Sequence, residues 1–348
     1  MAKLDGPSET AKQAMRRATI LDVARHVGMS TATVSNALSG NRPVDDKTRE
    51  RVRKAAAKLG YRPNVRAQNL RTGRADTIAI FSSMPFAVAG GRARLGYLME
   101  IAGAAAERAL QADMALLLVP PLAEGSESLG AFHADGAIVV EPGRNDPGVA
   151  LLQSRGIPMV AIGRPTPEGS LPYVDCRHYD AATVALDHLN TPGTRQIGLI
   201  TGAQDRNAHR SAERAYADVI AGLNQKPIVA LVDEEGGLEA ARLAARALIQ
   251  AHPKMDAMFV SVDSFAVGAQ RGAQELGVDI PGRLRIATRY DGLNARSHEL
   301  TALDLKLDQL GALAVDLLMD VMAGNATGPK IGPLPTLIIR KSSAVNRG

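Results

Sequence analysis

The sequence has one cysteine, no tryptophan and only 3% aromatic residues among its 348 positions. The single Cys176 excludes an internal disulfide, so we expect a reducing compartment and predict a cytoplasmic location. No run reaches the roughly 18 apolar residues that a membrane-spanning helix needs. The polar residues 1–17 lack the apolar centre of a secretory signal. We therefore expect a protein with no membrane contact.

The residue patterns of common active sites are also missing. The seven histidines are scattered, and neither a G-x-G-x-x-G nor a Walker phosphate-binding pattern occurs. No nucleophile and base form a recognisable constellation. We therefore predict no catalytic residue, no metal and no cofactor, and we do not expect an enzyme. The length and the 45% hydrophobic content predict a globular chain of two or three domains.

Charge is distributed unevenly along the chain. Residues 1–74 contain 16 Lys and Arg against 6 Asp and Glu, whereas residues 75–348 contain 25 against 30. A basic segment ahead of a mildly acidic remainder indicates a polyanionic partner. A charge run is often only a solvated surface, so the local pattern has to decide between these two interpretations.

Residues 19–40 have the pattern of two short helices joined by a tight turn. Gly28 supplies the turn, where a positive φ is expected, and Ser30 is placed to cap a helix that begins at Thr31. The apolar positions that give the two helices one buried face each are Val23, Ala24 and Val27, then Val34, Ala37 and Leu38. This arrangement predicts a helix-turn-helix, whose second helix fits the major groove.

A third helix is predicted from Asp46 to Leu59, capped by Asp45 and ended by Gly60. Its apolar positions are Val52, Ala55, Ala56 and Leu59, and its basic positions are Lys47, Arg49, Arg51, Arg53 and Lys54. Residues 64–73 form one or two turns of possible helix with nothing of their own to bury. We expect this segment to become helical only when it packs against a partner.

The region from residue 18 to residue 74 contains five characteristic runs of residues. They are A-T-I-L-D-V-A, G-M-S-T-A-T-V-S-N-A-L-S-G, T-R-E-R-V, L-G-Y-R-P-N and L-R-T-G-R. These runs resemble the LacI/GalR family of bacterial transcription regulators. The resemblance implies a helix-turn-helix head (19–62), a hinge helix or linker (63–74) and a homodimer on a near-palindromic operator in double-stranded DNA. Residues 1–18 are expected to form a flexible basic extension.

The resemblance also implies which side chains meet DNA. Thr31, Ala32 and Asn36 match positions that face base edges, and Asn36 could pair bidentately with adenine. Thr31 and Thr33 have helix initiation or phosphate contact as an equal alternative. Leu70 matches a residue that wedges into the minor groove, with packing on the body as its alternative. The full predicted DNA-binding set is Thr19, Ser30, Thr31, Ala32, Thr33, Ser35, Asn36, Tyr61, Asn64, Ala67 and Leu70.

From residue 75 onward, β-rich runs alternate with helical patterns. Strands are predicted at 77–81, 114–119, 137–140, 159–162, 197–201, 228–232, 257–260, 284–287 and 337–340. Helices are predicted at 96–111, 181–189, 210–223, 239–251, 264–276 and 310–322, with Asp263 as a helix cap. This order predicts an α/β body (75–348) with parallel sheets in two lobes around a cleft. The resemblance likewise implies a periplasmic-binding-protein-like fold.

Ligand clefts in such folds lie beyond the carboxyl ends of the strands, here at segments 82–86, 202–207 and 289–291. The resemblance implies an effector position at Tyr290-Asp291 and a pocket Arg near Arg210, but Arg206 and Arg214 remain candidates because the spacing differs. An Arg–Asp pair there could hold a polar ligand or form a structural salt bridge. The predicted effector-binding residues are Ser83, Phe86, Arg206, Arg210, Tyr290 and Asp291.

Together these patterns predict a cytoplasmic, homodimeric transcriptional repressor. A small molecule, either a sugar or another polar metabolite, would bind between the lobes and change operator affinity. The low aromatic content weighs against a sugar that stacks on rings. The alternatives are a small-molecule receptor or a Rossmann-like enzyme, each with an accessory basic head.

Overall fold

The computed structural model describes residues 18–39, 43–61, 74–84, 96–119, 133–325 and 328–344. The chain divides into two compact units, Met1–Arg74 and Ala75–Gly348, which we call the head and the body. No helix in the described ranges is long and apolar enough to cross a membrane.

The head contains the three predicted helices. They are α1 (Ile20–Val27), α2 (Thr31–Ser39) and α3 (Asp46–Lys58). Asp45 caps α3 by accepting a 2.9 Å hydrogen bond from the Thr48 backbone N–H, and Leu59, predicted as the last helical residue, is its C-cap. The buried residues that join the three helices are Val23, Ala24, Val27, Val34, Ala37, Val52, Ala55 and Ala56. This apolar contact orders three helices that would each be too short to be stable alone.

The body alternates strands and helices along the chain. Its strands are β1 (Thr77–Ser82), β2 (Ala115–Leu118), β3 (Gly136–Val140), β4 (Met159–Ile162), β5 (Tyr173–Asp175), β6 (Ile197–Gly202), β7 (Val229–Val232), β8 (Ala257–Val260), β9 (Arg285–Thr288), β10 (Ala302–Asp304), β11 (Lys330–Ile331) and β12 (Thr336–Ile338). Its helices are α4 (Gly96–Gln111), α5 (Pro147–Ser154), α6 (His178–Leu189), α7 (Asn207–Gly222), α8 (Gly237–Ala251), α9 (Asp263–Glu275), α10 (Leu293–Ser297) and α11 (Leu307–Met322).

Two parallel sheets define two lobes. The sheet of the N-terminal lobe has the order β2-β1-β3-β4-β5-β11, and that of the C-terminal lobe has the order β7-β6-β8-β9. Strands β10 and β12 form a separate antiparallel pair. The predicted α/β body with parallel sheets is confirmed. The last strand is Thr336–Ile338, so the predicted run 337–340 is displaced toward the carboxyl terminus.

Alternate residues of the central strands pack against helices on opposite faces. Ile78 and Ile80 of β1 lie in the apolar cluster with α4 and α11, whereas Ala79 and Phe81 lie in the cluster with Leu152 of α5. In a strand buried on both faces every position is apolar, and this is why β1 was recognisable as a continuous apolar run.

The chain passes between the lobes at two similar turns. Arg177 (φ 55°) and Lys306 (φ 54°) adopt the left-handed conformation directly before α6 and α11. In each turn an aspartate two residues earlier, Asp175 or Asp304, accepts a 2.9 Å hydrogen bond from the backbone N–H of the left-handed residue. These local bonds stabilise a conformation that is otherwise unfavourable for a residue with a side chain.

Candidate nucleic-acid interface and effector cleft

Gly28 and Ser30 determine the turn between α1 and α2. Gly28 has a φ of 67°, which glycine adopts at little cost. The Ser30 hydroxyl accepts a 3.0 Å hydrogen bond from the Thr33 backbone N–H and lies 2.8 Å from the Thr33 hydroxyl. Ser30 therefore caps α2 as predicted, and the contact favours a helix-initiating role for Thr33.

The face of α2 that points away from the head core is polar and carries no charge. Val34 and Ala37 are buried, Thr31 and Ala32 are exposed, and Asn36 is half-buried. Because Ala32 and Asn36 are four residues apart, they project from the same side of the helix. A helix-turn-helix presents this part of its second helix to the base edges of the major groove.

Helix α3 contributes basic side chains to the head surface. Its exposed cations are Lys47, Arg51, Arg53, Lys54 and Lys58. Arg51 also donates a hydrogen bond to the Val27 carbonyl and so connects α3 to the end of α1. Cations arranged in this way attract phosphates irrespective of base sequence.

The other residues predicted to contact DNA have varied positions. Thr19 is the N-cap of α1 in a reciprocal arrangement, in which the Asp22 carboxylate accepts a 2.8 Å hydrogen bond from the Thr19 backbone N–H. Ser35 is half-buried on α2. Tyr61 packs against the head core, where burial raises the pKa of its hydroxyl. The predicted DNA-binding residues outside the described ranges are Asn64, Ala67 and Leu70.

In each sheet of the body the strand order reverses between two neighbouring strands, β1 and β3 in one lobe and β6 and β8 in the other. A crevice opens at the carboxyl ends of such strands, where ligands bind in open α/β sheets. Ser83 and Glu141 follow β1 and β3, and Ser261 follows β8. The two carboxyl edges meet, because Arg206, in the loop after β6, forms a backbone bridge with Gly143.

Arg206 lies buried between the lobes. Its Nε lies 3.1 and 3.2 Å from the two carboxylate oxygens of Glu234. Its Nη1 and Nη2 each donate a 2.7 Å hydrogen bond across the lobes, to the carbonyl oxygens of Glu141 and Ser83 respectively. Glu234 also lies 2.5 Å from Nε2 of His209. The Arg206 guanidinium is thus engaged by the protein itself.

Glu141 lies at the end of β3 and is fully surrounded by protein. Its Oε1 accepts a 2.9 Å hydrogen bond from the Tyr97 hydroxyl and lies 2.7 Å from Nε2 of His178 and 3.9 Å from Nη1 of Arg289. Burial alone raises the pKa of the Glu141 carboxyl, but the charges and hydrogen bonds of these neighbours outweigh burial and lower the pKa to about 2. Glu141 is therefore ionised over the physiological pH range.

One sulfur-containing cluster could in principle hold a metal. Glu141, Cys176 and His178 each place a possible ligand atom within 4.8 Å of the others. However, Nη1 of Arg289 lies 2.9 Å from Nδ1 of His178, and a guanidinium can only donate. Both ring nitrogens of His178 thus lie beside a protein side chain, Nδ1 at 2.9 Å from Arg289 and Nε2 at 2.7 Å from Glu141. These contacts favour a network of charged and polar side chains over a metal site.

The two residues at the predicted Tyr-Asp effector position have different surroundings. The Tyr290 ring packs edge-on against Tyr97, with centroids 5.2 Å apart and planes at 89°. Asp291 has one carboxylate oxygen 2.6 Å from Arg340 and the other 3.1 Å from Arg296. Asp291 thus has the structural salt bridges that the sequence left open as an alternative to effector binding.

The three arginine candidates for the effector pocket also differ in their positions. Arg210, in the first turn of α7, pairs with Asp205 of the preceding loop and donates to the Thr166 hydroxyl of the other lobe. Arg214 instead lies over the Tyr179 ring, 5.0 Å from its centroid. The structure therefore brings Arg206 and Arg210, but not Arg214, to the junction of the lobes. Phe86 lies outside the described residues.

Polar groups near the start of α9 have few protein partners. Desolvation raises the pKa of the Asp263 carboxyl to about 6. Hydrogen bonds, among them a 3.1 Å bond from Asn294, lower the pKa but do not outweigh desolvation. The helix begins at Asp263 with Val262 as its N-cap, so the prediction that Asp263 is the cap is wrong. Among the described residues, the buried hydroxyl oxygens of Ser264, in the first turn of α9, and of Ser83, after β1 in the other lobe, have no hydrogen-bond partner.

Several residues of the junction were not among the predicted effector-binding residues. They are Tyr97, Glu141, His178, His209, Glu234 and Arg289. Glu141 and Arg289 each follow a buried strand directly, so the rule that selected Ser83 also points to them. Glu234 and His209 carry no such signal, because their role arises only from contact with Arg206.

Each of the two units, the head and the body, matches a known protein family model. The head matches the family model "Bacterial regulatory proteins, lacI family" over residues 19–64, and the body matches "Periplasmic binding protein-like domain" over residues 186–343. A polar recognition helix and a two-lobed body define a DNA-binding transcriptional regulator. The chain thus contains a region that matches the LacI family of these regulators and a region that matches periplasmic binding proteins.

Similar proteins cover nearly the whole chain. The HTH-type transcriptional regulator CelR of Thermobifida fusca is 29% identical over 345 residues, which span 94% of this chain and 98% of CelR. The HTH-type transcriptional repressor CytR of Escherichia coli (strain K12) is 28% identical over 335 residues, spanning 91% and 94%.

Solved structures show the same architecture. A CelR–cellobiose complex has a TM-score of 0.69 at 25% identity, covering 94% of this chain and 100% of that one. The lac repressor dimer bound to operator and the anti-inducer ONPF has a TM-score of 0.78 at 22% identity, covering 95% and 100%. The second likeness concerns the fold alone.

Proposed function

We propose that the protein is a transcriptional repressor that binds a near-palindromic operator as a homodimer. The observation that carries this proposal is the uncharged polar face of α2 on a complete helix-turn-helix. Thr31, Ala32 and Asn36 read base edges, whereas Thr19, Ser30, Ser35 and Tyr61 contact or orient the phosphate backbone. CytR is named as a repressor and the lac repressor structure is a dimer on its operator. Because the partner is chromosomal DNA, the protein acts in the cytoplasm.

Domain roles follow the same proposal. Residues 19–62 bind DNA, residues 63–74 link the two units, with Asn64, Ala67 and Leu70 at the operator, and residues 75–348 form the effector-binding and dimerisation unit. The proposal assigns no catalytic step to the chain.

The effector in this proposal is a small polar molecule, of which a sugar is the first candidate. The buried hydroxyls of Ser83 and Ser264, without partners among the described residues, and the poorly compensated Asp263 carboxyl can bind ligand hydroxyl groups. Tyr290 and Phe86 complete the contact set. Arg206 and Asp291, which are already paired within the protein, orient this set instead of binding the effector. The cellobiose bound to CelR is the precedent for a sugar.

Selection of duplex DNA with a randomised core by the full chain tests the repressor proposal. We expect a two-fold symmetric consensus that depends on α2. Recovery of no consensus would refute it. A thermal-shift screen of the full chain against neutral mono- and disaccharides, including cellobiose, and against other polar metabolites tests the effector class. A rise in Tm supports a sugar, and a rise only with other metabolites excludes it.

A further inference from the structure

Glu141 is the residue at which two separate connections between the lobes meet. Its carboxylate contacts His178 and lies 3.9 Å from Arg289, while its carbonyl oxygen accepts the 2.7 Å hydrogen bond from Arg206. Arg206 and Arg289 follow strands of the C-terminal lobe, whereas Glu141 ends a strand of the N-terminal lobe. One residue therefore engages two arginines of the opposite lobe through different atoms.

The backbone of Glu141 is held in an uncommon conformation. Its φ is 54°, in the left-handed region, which is unfavourable for a residue with a side chain. A Cβ at Gly163, itself at φ 92°, would lie only 3.0 Å from Oε2 of Glu141. A residue larger than glycine at position 163 would therefore crowd the carboxylate, which lies 2.7 Å from Nε2 of His178.

Each arginine is also fixed from its own lobe. Glu234 holds Nε of Arg206, and the Ser261 carbonyl accepts a 3.1 Å hydrogen bond from Nε of Arg289. The Arg289 guanidinium lies 5.9 Å from the Tyr97 ring centroid, on the N-terminal lobe. Both guanidinium groups are therefore also held in position by residues other than Glu141.

We propose that Glu141 is a positioning residue that sets the relative orientation of the two lobes. Its carboxylate attracts Arg289 directly and through His178, and its carbonyl oxygen holds Arg206. Because both contacts share one residue, a rotation of the lobes breaks them together. The lobes therefore exchange between discrete arrangements instead of sliding gradually. This inference goes beyond the proposed function, since lobe geometry exists without operator or effector.

Distances between spin labels on the two lobes of the full chain test the inference. Exposed Ser154 and Lys226 lie on different lobes, so Ser154→Cys with Lys226→Cys provides the label sites, and buried Cys176 stays unlabelled. Labelled chain diluted into excess unlabelled chain reports distances within one subunit. Glu141→Gln keeps the size of the side chain but leaves Arg289 without its carboxylate. We expect the narrow distance distribution to broaden and to gain a longer-distance population.

Glu275→Gln is the matched control. Glu275 accepts from two arginines, Arg242 at 2.5 Å and Arg246 at 2.7 Å, entirely within the C-terminal lobe. Loss of the Glu275 charge is expected to leave the distribution of label distances unchanged. Broadening in Glu275→Gln equal to that in Glu141→Gln, or none in Glu141→Gln, would overturn the inference.

Two further variants separate the two contacts. If the Glu141 carboxylate acts through Arg289, adding Arg289→Gln to Glu141→Gln gives no further broadening of the distance distribution. Additional broadening would refute the proposed role of the carboxylate. Arg206→Lys replaces three separate guanidinium nitrogens with one ammonium nitrogen, which cannot reach Glu234 and both carbonyl oxygens at once. It should therefore broaden the distance distribution even if Glu141→Gln fails to fold. An unchanged distance distribution in Arg206→Lys would refute the proposed role of the Glu141 carbonyl oxygen.

Discussion

Arg206 donates a 2.7 Å hydrogen bond from Nη1 to the carbonyl oxygen of Glu141, and this bond connects the carboxyl edges of the two sheets. A buried guanidinium is tolerated in such a place only when its charge is compensated. Glu234, 1% exposed, provides the compensation at 3.1 Å. The stability of the body and the arrangement of its cleft therefore depend on the same ion pair.

Removal of the Glu234 charge is expected to destabilise the body markedly. Glu234→Gln leaves Arg206 buried without a carboxylate, which costs about 3 kcal/mol. Urea unfolding of the full chain, followed for the body transition, measures the loss. In a double-mutant cycle, Glu234→Gln with Arg206→Gln should cost clearly less than the sum of the two single changes. Additive losses would show that the two side chains are not coupled.

Asp263 gives the body a pH dependence of known sign. Its pKa in the folded state, about 6, lies above the unfolded value of 3.8 because burial disfavours the charged form. The protonated carboxyl therefore favours the folded state fully below about pH 4, and this contribution is lost as the pH rises through about 6. As the pH rises from about 4 to about 6, the free energy of unfolding of Asp263→Asn should increase by on the order of 1–3 kcal/mol relative to that of the wild type. A stability difference that stays constant with pH would contradict the assignment.

Ser30 is expected to stabilise the head through its cap. Ser30→Ala removes the acceptor for the Thr33 backbone N–H and should cost the head about 1 kcal/mol. Hydrogen exchange of the α2 amides in the full chain reports this change. Thr31→Ala is the neighbouring control, because Thr31 is exposed and does not form the cap. Equal protection in Ser30→Ala and wild type would argue against the capping role.

Asn36 is expected to determine one base pair of each operator half-site. Asn36→Ala should relax the preference at that position by about 1–3 kcal/mol, measured by repeating the randomised-duplex selection. Lys47→Ala, on exposed α3, should instead weaken all sequences similarly and reduce the salt dependence. If every position keeps its preference in Asn36→Ala, then Asn36 does not read a base.

The sequence predicted the parts of the molecule that depend on local pattern. The helix-turn-helix was predictable because Gly28 and Ser30 mark its turn and cap within a few residues of the helices they connect. Strand β4 was predicted with the observed bounds because it is a continuous apolar run. Short strands such as β10 and β11, of three and two residues, have no periodicity to detect and exist only through pairing with distant strands.

The site was less predictable because its contacts join distant parts of the chain. The rule of carboxyl strand ends located the segments of Ser83, Arg206 and Tyr290, but it could not show which partners they meet. Asp291 illustrates the limit: the nearby Arg296 is visible in the sequence, whereas Arg340 reaches it only through the fold. For Asp263, the pattern of a polar residue before a helix suggested a cap, yet the side chain bonds with Asn294.

The most direct test of the central claim is the affinity of the full chain for a selected operator duplex, compared with a scrambled duplex of the same composition. Fluorescence anisotropy at one fixed, near-physiological salt concentration gives both dissociation constants. If the proposed function is correct, the chain should bind its operator at least about 10³-fold more tightly than the scrambled duplex. Equal affinity for the two duplexes would contradict the account.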